Sequence, residues 1–151
     1  HHHLTITIYM SIRLFSWLAL FLLLPALRVE AQMERTLYQV LEIDSVKTIT
    51  LDFYGQYSLK KWEGSTMLIE TNIQLTNASP AIMNYLIKQG RYDFAIDTIS
   101  DKELKIYTRQ QDRKKIKTPA GECTEIFVTK ILVPEFMVWT DDRRTLKRKE
   151  E

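Results

Sequence analysis

The side chains that most enzymes use for catalysis are scarce in this chain of 151 residues. Its three histidines are His1, His2 and His3, and Cys123 is its only cysteine. Zinc sites and Ser-His or Cys-His mechanisms depend on these residue types. Because a chain that starts at Met10 contains no histidine, we expect no metal site, no cofactor and no histidine-dependent mechanism.

Paired carboxylates are the remaining catalytic option, since glycoside hydrolysis needs only two of them. Asp52, Glu70 and Asp93 are candidates, but each falls on the polar face of a predicted strand, where a solvated surface is the simpler interpretation. The four glycines stand alone in the sequence, so no glycine-rich phosphate loop is present. We therefore predict a non-enzymatic protein, with a carboxylate-based polysaccharide hydrolase as the alternative.

A basic segment at residues 109–117 is the strongest candidate binding site. Its charge is near +4, because only Asp112 opposes five basic residues, which are Arg109, Arg113, Lys114, Lys115 and Lys117. Such a segment suits a polyanion, for example lipopolysaccharide or an acidic polysaccharide, since each basic contact contributes about 1 kcal/mol and weakens with salt. No aromatic residues alternate with the basic ones, which disfavours nucleic acid. A solvated loop is the alternative.

Aromatic residues offer a second surface that could bind sugars. Five of them fall in or beside predicted strands: Tyr54, Tyr57, Trp62, Tyr107 and Trp139. Aromatic side chains are favoured in strands and stabilise sheets through cross-strand pairs. We therefore expect at least half of them to pack within the protein.

Residues 10–31 have the pattern of a cleavable secretory leader. Arg13 precedes an uncharged run at residues 14–24, and small residues occupy the −3 and −1 positions of a cut after Ala31. The uncharged run is shorter than the roughly 20 apolar residues that a membrane-spanning helix needs. A retained anchor is the alternative. Residues 1–9 are interpreted as upstream translation or a cloning remnant and are excluded from the fold.

The part after the predicted cut is long enough for one domain with one core. Removing Arg13, Arg28 and Glu30 from the 21 basic and 19 acidic residues leaves 19 and 18, a net charge of about +1. Global charge therefore does not indicate a nucleic-acid partner. A single cysteine excludes an intramolecular disulfide, and we expect Cys123 to be a small buried hydrophobe rather than an intermolecular partner.

Alternating apolar and polar residues predict about seven strands. Three of them, at residues 48–54, 57–62 and 67–76, are expected to form an antiparallel meander. The others are predicted at residues 91–98, 104–108, 123–133 and 136–140, and the first two of these are expected to form a hairpin. The charged residues 141–151 are predicted to be a frayed tail.

One helix is predicted at residues 80–89. Ser79 suits the N-cap, Pro80 the first helical position and Gly90 the left-handed stop. Asn77-Ala78-Ser79 also matches the glycosylation triplet. Pro80 follows that triplet, so we assign Ser79 to the cap and give a glycan little weight.

The order of segments from residue 49 to residue 108 resembles that of a known family. It consists of a strand and turn (ITLDFYGQYSLKKWEG), an apolar strand (MLIETNIQL), a helix (PAIMNYLIKQG) and a hairpin that ends in LKIYT. This order resembles the start of exported bacterial adhesin-like proteins with a GIN-domain head. The resemblance implies a surface-exposed, all-β, non-enzymatic protein. The chain lacks the Gly-, Ser- and Asn-rich coils and the Gly-Ile-Asn signature of that family, so no functional residue is carried over.

Together these patterns predict an exported bacterial protein with one mainly β domain at residues 32–140. We expect an antiparallel β-sandwich or a short β-solenoid with one helix, acting as a non-catalytic binding or structural module. The expected location is the periplasm, the outer surface or the extracellular space, and the expected partner is a cell-surface polysaccharide or protein. The membrane would be engaged only through an uncleaved segment 10–31. The sequence does not decide between a monomer and a dimer, because edge strands of small β domains pair readily.

Overall fold

Two β-sheets pack face to face in the computed structural model, which describes residues 32–150. The predicted leader at residues 10–31 and the residues before it lie outside the described part. The mainly β, sandwich-like fold with one helix is confirmed for the described residues. None of the helical structure in this part is long and apolar enough to cross a membrane.

Eleven strands and one helix follow one another in the described part of the chain. In chain order they are β1 (Gln32–Leu41), β2 (Thr48–Asp52), β3 (Tyr57–Trp62), β4 (Met67–Thr76), α1 (Pro80–Lys88), β5 (Phe94–Thr98), β6 (Glu103–Thr108), β7 (Ile116–Thr118), β8 (Gly121–Cys123), β9 (Glu125–Pro134), β10 (Met137–Trp139) and β11 (Thr145–Arg148).

Sheet A has the strand order β1-β4-β9-β3, and sheet B has the order β10-β11-β2-β6-β5. Most neighbours are antiparallel, but β3 runs parallel to β9 and β2 runs parallel to β6. The predicted hairpin of β5 and β6 is confirmed. β7 and β8 form a separate two-stranded hairpin.

The core lies between the inner faces of the two sheets. Alternate residues of β4 are buried, from Met67 to Leu75, as the sequence pattern predicts. Met67 and Ile69 meet buried side chains of sheet B such as Ile49, Ile106 and Leu146. Each fully buried apolar side chain of this size contributes about 1.5–3 kcal/mol, so this interface is the main source of stability.

Helix α1 covers one end of sheet A. Its N-cap is Ser79, whose Oγ accepts the Ile82 N–H at 3.3 Å, and this confirms the predicted helix start. Met83 is fully buried against Ile73 and Leu75 of β4. The helix thus closes a second, smaller core at the end of the sandwich where the basic segment lies.

The predicted meander was wrong. β2 belongs to sheet B, and β9 lies between β3 and β4 in sheet A. Gly55, at φ 85°, lies where the chain passes from β2 in sheet B to β3 in sheet A. A β-carbon at this position would press against the Phe127 ring. Alternation identifies which face of a strand is buried, but it does not identify the neighbouring strand.

The predicted frayed tail at residues 141–151 was also wrong in its middle part. Residues 145–148 form β11, which lies between β10 and β2, and Leu146 is fully buried. Asp142 accepts the Arg144 N–H at 3.0 Å in the turn before this strand. The sequence pattern did not predict this strand, because its single buried leucine is surrounded by charged residues.

Residues 32–41 form β1, an edge strand that the sequence pattern did not predict. Its register with β4 places Arg35 and Gln39 on the same face as Leu37 and Leu41, so the apolar alternation is interrupted. The polar side chains at two inner positions explain why the strand was missed.

Candidate functional site

The three candidate carboxylates lie on separate elements. Asp52 is exposed on β2, 3.8 Å from Nζ of Lys105. Glu70 lies on the outer face of β4, and Asp93 lies between α1 and β5. Among the described residues, no group of three or more His, Cys, Asp or Glu side chains could hold a metal ion.

The five aromatic residues make separate local contacts. Tyr57 packs edge-on against Phe53 with ring centroids 5.2 Å apart. The Trp62 indole N–H donates to the Thr66 carbonyl at 2.8 Å. Such contacts are typical of aromatic residues that stabilise strands and turns.

A buried ionic cluster connects the segment after α1, the basic segment and β9. The side chains of Arg91, Arg113 and Glu125 are 11%, 6% and 13% exposed. Arg91 donates from Nε and Nη2 to the two oxygens of Glu125 at 2.8 and 3.0 Å, a bidentate pair. Tyr92 donates its hydroxyl to the same carboxylate at 2.5 Å.

Arg113 was predicted to be a surface contact for a polyanion, and the structure places it inside the protein instead. Its guanidinium carbon lies 4.9 Å from the ring centroid of Phe127, 5.2 Å from that of Tyr54 and 5.6 Å from that of Tyr92. Its Nη1 donates to the Arg91 carbonyl at 2.5 Å. Cation–π attraction in this aromatic cage compensates for part of the lost hydration.

The cluster carries a net positive charge. Burial opposes ionisation of Glu125, but hydrogen bonds from Arg91 and Tyr92 and the charges of Arg91 and Arg113 outweigh it, so its pKa is lowered. Burial, and then the positive charge of Arg91, lowers the pKa of Arg113. Nε and Nη2 of Arg113 are buried and have no hydrogen-bond partner among the described residues. Two guanidinium groups thus share one carboxylate.

Two pockets flank the basic segment that Arg113 anchors. The first, of about 230 Å³, is lined by two of the three lysines of the segment, Lys114 and Lys115, together with Arg91, Tyr54 and the caged arginine. The second, of about 490 Å³, is lined by Arg109, Arg91 and Lys114. Arg91 and Lys114 therefore belong to both pockets.

The other four residues of the predicted basic site lie at the surface. Arg109, Lys114 and Lys115 are exposed and line a pocket. Lys117 is exposed on β7 and is not among the residues that line these two pockets. The structure thus brings four of the five predicted residues to the pockets, one of them as a buried anchor.

Cys123 lines the first pocket and is half-buried in the small core beneath α1. Burial raises the pKa of its thiol, which therefore stays protonated and weakly nucleophilic near neutral pH. Cys123 thus packs as a small hydrophobe, but it is half-buried and not buried as expected.

No family model, no curated protein and no solved structure matches this chain. Function is therefore inferred from the residues of the pockets and from the patterns of the sequence.

Proposed function

We propose that the chain is an exported, non-catalytic binding module of the bacterial cell surface or periplasm, and that its ligand is an acidic polysaccharide. The observation that carries the proposal is the anchoring of the basic segment by caged Arg113. The anchor holds Lys114 and Lys115 beside Arg91 at one pocket. Export is supported by the pattern of residues 10–31.

The charge around the first pocket favours an anion. Four basic residues line it, Arg91, Arg113, Lys114 and Lys115, against the two acids Glu122 and Glu125, which leaves a charge of +2. Pre-positioned positive groups lose less side-chain entropy on binding than free ones. Carboxylate or sulfate groups of a polysaccharide suit these residues, since arginine and lysine both bind such groups.

One aromatic ring supports a sugar rather than a small inorganic anion. Tyr54 is 44% exposed and lines the first pocket beside the basic residues. Its ring stacks with Phe127 at a centroid distance of 6.0 Å, which fixes its orientation. A rigid aromatic face next to fixed positive charges suits the apolar face and the acidic groups of a sugar ring.

The non-catalytic part of the proposal is supported by the state of Glu125. A general acid in glycoside hydrolysis needs a raised pKa. Glu125 is instead held ionised, because Arg91 and Tyr92 donate to its two oxygens. A hydrolase that used the only acid buried in this cluster as its proton donor would need the opposite environment.

Heparin-affinity chromatography tests the proposal with a charge reversal. The double variant K114E/K115E should elute from immobilised heparin at a much lower salt concentration than the native protein, because it removes two pocket cations. The matched control is K88E/K102E, which changes net charge by the same amount at two exposed lysines that line neither pocket.

The control should elute close to the native protein. Equal losses in the two double variants would show that heparin responds to global charge alone, and this would contradict a site at the first pocket. Retention of K114E/K115E at the native salt concentration would contradict it as well.

A further inference from the structure

The outer face of sheet A carries two groups of exposed apolar side chains, one towards each end of its strands. Tyr38 and Val40 of β1 are 65% and 61% exposed, and Ile126 and Val128 of β9 are 56% and 46% exposed. Between these strands lies β4, where Leu68 is half-buried on the same outer face. Exposed apolar side chains grouped on one face are typical of a protein interface.

The acidic and the basic residues of this face lie on different strands. On the β1–β4 side the register places Glu34 and Glu70 outward, and on the β9–β3 side it places Lys130 and Lys60 outward. Glu70 and Lys130 are direct cross-strand neighbours on the two central strands. The face therefore has an acidic half and a basic half that meet along its centre line.

We propose that a second copy of this chain packs on the outer face of sheet A, around a two-fold axis that runs parallel to the strands between β4 and β9. Rotation about this axis turns each acidic half onto the basic half of the other copy. Glu70 then faces Lys130 of the partner subunit, and Leu68 faces Leu132 of the partner subunit. Aligned sheets pack about 10 Å apart, which allows such side chains to meet.

Charge complementarity selects this orientation. A two-fold axis perpendicular to the strands at the level of Glu70 would place Glu70 against Glu70 of the partner subunit, and like charges oppose association. The chosen axis makes the same patch complementary to itself, as an isologous dimer requires. The second copy also covers the exposed apolar residues on both sides of the centre line and removes their area from water.

Sedimentation velocity with single and mixed variants tests the dimer. In a dimer of E70K, both Glu70–Lys130 contacts between the subunits become lysine–lysine contacts. In a dimer of K130E, both become glutamate–glutamate contacts. Each variant should raise the dimer dissociation constant about tenfold or more, because juxtaposed like charges are strongly unfavourable. An equimolar mixture of the two variants should form heterodimers, since every pair across the axis is then attractive.

The mixture separates an interface from a folding defect, because a damaged sheet is not repaired by another chain. A neutral second variant, I126Q/V128Q, should also be monomeric, and its control is I96Q/V138Q, at sheet B positions that are 40% and 41% exposed.

A native protein that sediments as a monomer at every concentration would overturn the dimer. Dimerisation of either single variant at native strength, or failure of the mixture to associate, would also overturn it.

Discussion

A single carboxylate organises the buried charges of this protein. Glu125 neutralises Arg91 directly and lies 3.6 Å from Nη2 of Arg113. It thereby fastens the start of β9 to the basic segment that carries the proposed ligand site. The loss of one member of a buried ionic cluster is costly, because the remaining charges stay out of water without a counterion.

Replacement of Glu125 by glutamine should lower the free energy of unfolding by about 3–5 kcal/mol, because two guanidinium groups lose their carboxylate. Urea denaturation followed by tryptophan fluorescence measures this loss. E122Q is the control, since Glu122 is exposed on the neighbouring hairpin. Equal stability of E125Q and the native protein would show that the cluster contributes little to stability.

The same residue predicts a dependence of stability on pH. The folded pKa of Glu125 lies below the ordinary value of about 4.3, since its hydrogen bonds and nearby cations outweigh the effect of burial. Its contribution is therefore complete above the unfolded value and is lost as pH falls through the lower, folded value.

Denaturation at several pH values between about 7 and 3 checks this sign. The difference in unfolding free energy between native protein and E125Q should be largest near neutral pH and should shrink in acid. A difference that stays constant over this range would mean that Glu125 does not titrate with folding.

The sequence predicted part of this site. A run of basic residues revealed segment 109–117 because their charges are local. The burial of Arg113 could not be predicted, since it depends on Phe127 and Tyr54, which approach only after the sheets form. Glu125 and Arg91 are separated by 34 residues, and no local pattern connects them.

Strand β11 contributes more to the domain than its composition suggests. Leu146 is its one fully buried residue. Arg148 donates from Nη2 to the Ile43 and Asp44 carbonyls and from Nε to the Val46 carbonyl. These bonds fix the loop between β1 and β2, so a strand with mostly charged side chains holds two parts of the fold together.

Replacement of Leu146 by alanine should lower the free energy of unfolding by about 2–5 kcal/mol, because it leaves a cavity between the two sheets. V138A on the neighbouring strand β10 is the control, since Val138 is 41% exposed. Urea midpoints of the two variants provide the comparison. A small loss in L146A would indicate that residues 145–148 are frayed.

Local patterns predicted most elements but not their arrangement. The bounds of β3 and β4 agree with the predicted strands at residues 57–62 and 67–76, because their alternation is regular. Their positions in sheet A are set by β9, which enters between them from about 60 residues later in the chain. Such long-range pairing leaves no signature in a short window of sequence.

At the scale of the whole molecule, the proposed dimer would carry two basic pockets. A long acidic polysaccharide could then engage both pockets of one dimer, and the second contact would be intramolecular. A short oligosaccharide could engage only one. The binding of long and short heparin fragments should therefore respond differently to the loss of the dimer.

The neutral variant I126Q/V128Q should bind a short heparin oligosaccharide as the native protein does, but should bind long heparin at least about tenfold more weakly. Isothermal titration with both fragments measures the two affinities. I96Q/V138Q serves as the control at exposed sheet B positions. Equal affinity of native protein and variant for long heparin would show that the two pockets act independently.

The position of β11 also bears on how the domain is made. β11 is the last described strand in chain order, yet it pairs with β2, which is near the beginning. While the ribosome still holds residues 145–148, β2 lacks one neighbour and Ile49 lacks the leucine that packs beside it. Folding of this domain is therefore completed only after its last strand leaves the ribosome.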